Sequence, residues 1–116
     1  MDVVERFLSY VVIDTQSDEH SDTVPTTAKQ KVLGQKLADE LAAMGMENAH
    51  LDEFGYVYGW LPATPGCEEL PCMGLIAHMD TAPSASGTGV KPRLVKYDGG
   101  DIVLNEGLGL VMREKE

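Results

Sequence analysis

Met73-Gly74-Leu75-Ile76-Ala77-His78-Met79-Asp80 is a run of apolar and small residues that carries no charge until it reaches a histidine and an aspartate. A short apolar run bounded by turn residues reads as a strand covered on both faces, as at the centre of an α/β layer structure. In extended backbone, residues i and i+2 point to the same side, so His78 and Asp80 are expected to face one another at the end of that strand. In open α/β sheets ligands collect at the carboxyl ends of the strands. A carboxylate on one imidazole nitrogen leaves the other free for a metal, fixes the tautomer and raises the ligand's basicity. Taken alone, H-x-D is a weak signal in a chain with three His and many Asp, and a strand-end histidine that is solvated or bonded to its neighbour fits it as well.

On the N-terminal side, Val3, Val4, Phe7, Leu8, Val11 and Val12 recur at helical spacing and predict a first helix with one apolar stripe. Residues 14–25 are polar and acidic and read as a surface loop, in which Asp14 and Ser17 suit helix-end and turn hydrogen bonds. Thr27-Ala28-Lys29-Gln30 has the form of a capping box and predicts a second helix, continued by Leu33, Leu37, Leu41 and Met44 and stopped at about Met44 by Gly45. Ala49–Leu51 and Tyr56–Leu61 then read as strands separated by Gly55. Beyond Asp80 the composition shifts to Ser, Gly, Pro and Thr, and Gly87-Thr88-Gly89 reads as a flexible loop. Arg93–Val95 and Ile102–Leu104, joined by Asp98-Gly99-Gly100, suggest a hairpin or long loop. The expected fold class is therefore α/β, with two helices packed on a mixed β-sheet.

The 116 residues, 43% hydrophobic and 24% charged, suit one domain with a modest core. A formal net charge of -10 argues against nucleic acid and anionic lipid as partners. The longest uncharged apolar stretch falls far short of the ~20 residues that span a bilayer. Acidic residues at the start of Met1-Asp2-Val3-Val4-Glu5-Arg6, with no apolar run behind them, predict a cytoplasmic protein whose Cys67 and Cys72 stay reduced. His20 and His50 lie in or beside polar segments without ligand spacing and read as surface residues.

A wider pattern surrounds the His78 motif. Arg6-Phe7 with Tyr10-Val11, Asp14-Thr15-Gln16-Ser17, Pro25-Thr26 with Gln30, Leu41 to Gly45, Leu61-Pro62, His78-Met79-Asp80-Thr81 with Pro83, and Gly99-Gly100-Asp101-Ile102 recur together in one family. Through them the chain resembles the peptidase T family of tripeptide aminopeptidases, within the two-zinc aminopeptidase and deacylase superfamily.

The resemblance implies that His78 is a ligand to one of two zinc ions and that Asp80, as part of the catalytic machinery, orients its ring. It implies release of the N-terminal residue of a tripeptide by a water held between the zincs, with a glutamate as general base. In the family the glutamate base and the remaining ligands lie downstream, so residues 1–116 are expected to be the N-terminal portion of a zinc-aminopeptidase catalytic domain, inactive alone. The expected partners are a small peptide substrate and, because an incomplete domain leaves apolar surface uncovered, further copies in a homo-oligomer. Two other readings remain open. One is a zinc-dependent N-acyl amino acid deacylase, which H-x-D serves equally. The other is a noncatalytic truncated domain that self-associates.

Overall fold

Asp2 begins the first element through a reciprocal pair of bonds. Its carboxylate accepts from the Glu5 backbone N–H at 2.8 Å, and the Glu5 carboxylate accepts from the Asp2 backbone N–H at 2.9 Å. This capping box satisfies two donors that a helix start would otherwise leave unpaired. In the computed structural model, which describes residues 2–115, it opens α1 (Val3–Val11). α2 (Gln30–Ala43) follows the polar loop, then β1 (Glu47–Leu51), β2 (Val57–Trp60), β3 (Ile102–Asn105) and β4 (Leu110–Met112).

The expected capping box at Thr27 takes another form. The Thr27 hydroxyl donates to the Gln16 carbonyl at 2.8 Å, Gln30 Nε2 donates to the hydroxyls of Thr26 and Thr27, and α2 starts two residues later than expected, with Lys29 as an N-cap whose side chain does not cap the helix. The Thr27 hydroxyl thus accepts from the Gln30 side chain, where a capping box would have it accept from a backbone N–H. The other end behaves as expected. Gly45 adopts φ +85°, its N–H reaches the Ala42 carbonyl at 3.0 Å, and the Met46 N–H reaches the Leu41 carbonyl at 3.1 Å. These bonds form a Schellman motif, which satisfies carbonyls left free by the last turn.

α2 packs on the hairpin of β1 and β2, whose antiparallel register pairs His50 with Tyr58 and Leu51 with Val57. Gly34 permits the close approach, since a Cβ there would stand 2.7 Å from Leu51 Cδ1. The core is small: Leu33 (6% exposed) and Ala38 (4%) are its buried apolar side chains. α1 is tied to α2 through Glu40, which accepts from the Tyr10 hydroxyl and pairs with Arg6 Nε at 3.5 Å. Burial, followed by the bond to the Glu40 carboxylate and the repulsion of its charge, pushes the Tyr10 phenol up to about 12.

The fold is α/β, two helices with small antiparallel sheets, as the sequence led us to expect. The sheet itself differs from expectation. Its strands form two separate antiparallel hairpins, and the parallel component is one isolated bridge between Gln16 and Thr81. Met73–His78, expected as the central strand, belongs to no strand, and Leu75 and Ile76 are 88% and 100% exposed. A strand buried on both faces needs neighbours at both edges and layers above and below, and the described residues supply neither. Arg93–Val95 also forms no strand; its Arg93 guanidinium instead donates to the Val103 carbonyl, and Ile102–Asn105 pairs forward with Leu110–Met112.

The consequence shows in the dimensions. A closed globule of this mass exposes about 6,200 Å², whereas this chain exposes 9346 Å². Its radius of gyration is 18.0 Å, against about 13 Å for a compact domain of this length. No described helix is long and apolar enough to cross a membrane.

Candidate functional site

His78 and Asp80 flank Met79, and all three border one cleft. The Met79 methyl lies 3.5 Å from where a Cβ on Gly34 would stand, so this side chain points toward α2. His78 Nδ1 and Asp80 Oδ1 are 3.0 Å apart. A carboxylate accepts at this contact, so in a neutral ring Nδ1 carries the proton and Nε2 keeps its lone pair. The ring is 84% exposed on its side-chain atoms. Beside it lies a cleft of about 520 Å³ with a largely apolar lining that includes Phe7, Leu33, Leu37 and Ala77.

The backbone that carries this pair is held from the loop after α1. The Thr81 N–H donates to the Thr15 carbonyl at 3.2 Å, and the Thr81 carbonyl accepts from the Ser17 N–H at 2.9 Å and the Ser17 hydroxyl at 3.0 Å. Gln16 Nε2 donates to the carbonyls of Pro83 and Ala85 at 3.1 and 2.9 Å. Asp14 gathers three donors on its carboxylate: Lys29 Nζ at 2.8 Å, the Thr88 hydroxyl at 2.7 Å and the Gln16 N–H at 3.1 Å. The Lys29 bond, then those from Thr88 and Gln16, draws the Asp14 carboxyl down to about 2.

The pairing of His78 with Asp80 follows the spacing seen in the sequence, and the turn role of Asp14 is present in its bond to Gln16. Two features had no local signal. Thr88 sits in a stretch read as flexible yet is bonded to Asp14, and Lys29, adjoining the expected helix start, reaches back to the same carboxylate. His50 stacks on Tyr58 with ring centroids 5.2 Å apart, and His20 is exposed, so neither joins the pair. Cys67 and Cys72 are free thiols.

No family model matches the chain. Curated relatives do. Peptidase T of Geobacillus sp. (strain WCH70) is 48% identical over 116 residues, covering 99% of this chain and 28% of that protein. Peptidase T of Clostridium botulinum (strain 657 / Type Ba4) is 51% identical, and that of Clostridium acetobutylicum is 49% identical, with the same coverage. The chain belongs to the peptidase T family. It spans 28% of the length of these peptidase T relatives.

The donor chemistry of this stretch of the peptidase T sequence suits a metal in one respect. His78 is an exposed ring with Nδ1 bonded to a carboxylate and Nε2 without a protein partner among the described residues, the arrangement metal-binding histidines use. A catalytic zinc, however, takes about three protein ligands and a water. Among the described residues, no group of three or more His, Cys, Asp or Glu is placed to hold a metal ion. The residues present therefore fit one arm of a zinc centre and not a whole one.

Proposed function

We propose that this chain supplies one zinc ligand, His78, and its orienting carboxylate, Asp80, to the active site of a cytoplasmic aminopeptidase that removes the N-terminal residue from tripeptides. The observation that carries the reading is the 3.0 Å Nδ1–Oδ1 contact, which leaves Nε2 without a protein partner among the described residues, beside an apolar cleft. The near half-identity to proteins named Peptidase T supplies the reaction class. Zinc, when bound, polarises the scissile carbonyl and lowers the pKa of a bound water toward ~7. This chain's own residues hold the imidazole in one tautomer and one orientation, and line the cleft with apolar side chains that limit water. The other ligands and the general base come from the part of the peptidase T sequence outside this stretch, and residues 1–116 alone are inactive.

The test is a chimera in which this chain replaces the matching stretch of the Geobacillus relative. We expect hydrolysis of tripeptides that disappears in the His78→Ala chimera, together with loss of one zinc by metal analysis. Release of acyl groups from N-acyl amino acids, with tripeptides untouched, would instead establish the deacylase reading. Full tripeptide hydrolysis and zinc content in His78→Ala would remove His78 from the site.

The area of exposed surface favours a second reading of the chain on its own, as a noncatalytic domain that associates with copies of itself.

A further inference from the structure

The His78 ring is held by Asp80 alone, and residues 71–80 make no backbone–backbone hydrogen bond among the described residues. Where the pair stands therefore depends on what fixes the chain immediately after it. That chain is gripped at successive points by four consecutive residues from the other end of the sequence. Thr15 and Ser17 bond both backbone groups of Thr81. Gln16 takes the carbonyls of Pro83 and Ala85, and Asp14 takes the Thr88 hydroxyl. Gly87 lies against the same carboxylate, where a Cβ would stand 2.9 Å from Asp14 Oδ1. Thr15 is itself buried. Lys29 closes the arrangement from the start of α2, bonding Asp14 Oδ1 while Thr88 bonds Oδ2.

We infer that Asp14, Gln16 and Thr88 are positioning residues for the His78–Asp80 pair, tethering the 81–88 loop so that the preceding backbone presents both side chains to the cleft. The inference rests on the reading of His78 as a metal ligand for its purpose, but its geometry stands without a metal. Spacing supports it: Asp80 adjoins the first gripped residue, and the grip continues at 83, 85 and 88, so the loop cannot pivot about a single bond. The substitutions that matter are therefore remote from the imidazole and touch no reacting atom.

The experiment uses the whole chain without added zinc, with hydrogen exchange and the His78 ring resonance followed by NMR. Thr88→Val removes one donor to Asp14 at an exposed loop position, and Thr88→Ser keeps it. Gln16→Met keeps length and removes the donors to Pro83 and Ala85. We expect Thr88→Val and Gln16→Met each to speed exchange of the Ser17 and Thr81 amides about tenfold, the scale of one hydrogen bond. The Leu33 and Ala38 amides in α2 should be unchanged and the His78 Hε1 resonance should move. Thr88→Ser should stay within about twofold of the wild type, with the ring resonance in place. Unchanged Ser17 and Thr81 exchange in Thr88→Val and Gln16→Met overturns the inference, as does equal acceleration throughout α2. So does a ring resonance that stays put while the loop loosens, or a Thr88→Ser that behaves like Thr88→Val. Because no metal is present, a failed zinc assignment leaves the tether standing, and a failed tether leaves the assignment standing.

Discussion

At the scale of single residues, Asp80 and Asp14 are two carboxylates with different work, and each predicts its own experiment. Asp80 faces the imidazole, so in the zinc-loaded chimera Asp80→Ala should weaken metal affinity about 10–100-fold, read by competition with a chromophoric chelator. Affinity unchanged by that substitution would mean that the ring orients itself. Asp14 predicts a pH dependence. Its carboxyl is lowered from 3.8 to about 2, and a group whose folded value is depressed stabilises the fold above its unfolded value and loses that effect as pH falls through the folded one. The 81–88 loop should therefore stay docked at about pH 4 and loosen as pH falls toward about 2. Lys29→Met, which removes the largest contribution, should move that transition upward; an unmoved transition in an NMR acid titration would exclude Asp14 as its origin. These two carboxylates also show what was legible in the sequence. The contact of Asp80 with His78 spans two residues and follows from the pleat of extended chain. That of Asp14 with Thr88 spans 74 positions, and no local pattern encodes it.

At the scale of elements, the helices were legible because their signals are local. α1 and α2 follow the apolar spacing, and Gly45 ends α2 where expected. Gly45 stands at φ +85° with nothing within 4 Å of where a Cβ would be, so the cost of a side chain there is conformational and not steric. Gly45→Ala should cost about 1 kcal/mol, measured by urea unfolding; no change in midpoint would show that the motif contributes nothing. Leu33→Ala removes the larger of the two buried apolar side chains and should cost about 2–3 kcal/mol in the same assay. The strands were less legible, for a reason the two hairpins make plain. β1 and β2 are neighbours in sequence joined by a tight turn at Gly55, whereas Met73–Ala77 has the composition of a central strand and no ladder partner among the described residues. An apolar run specifies burial, but a strand also needs a second chain to bond, and that requirement is not written in the run itself.

At the scale of the molecule, the surplus of exposed surface and the net charge act in opposite directions on association. The chain exposes about 3,100 Å² more than a closed globule of its mass, several times the roughly 800 Å² that each partner buries in a standard interface. The uncharged segment from Leu70 to Met79 is a prominent part of that surface, with Leu75 and Ile76 outermost. Against this, each copy carries a formal charge of -10, and two such copies repel unless salt screens them beyond about 8 Å. The expected outcome in sedimentation velocity is self-association that strengthens as salt rises from low to about physiological concentration. Ile76→Asp should shift the population toward monomer. Because Ile76 is fully exposed, its replacement should change the stability of the monomer by no more than about 0.5 kcal/mol, so a lower sedimentation coefficient cannot be ascribed to unfolding if the urea midpoint is unchanged. A wild type that sediments as a single monomer at high concentration would show that the apolar segment does not draw copies together. An Ile76→Asp variant that associates as strongly as the wild type would place the contact elsewhere on the surface, away from the segment that leads into His78.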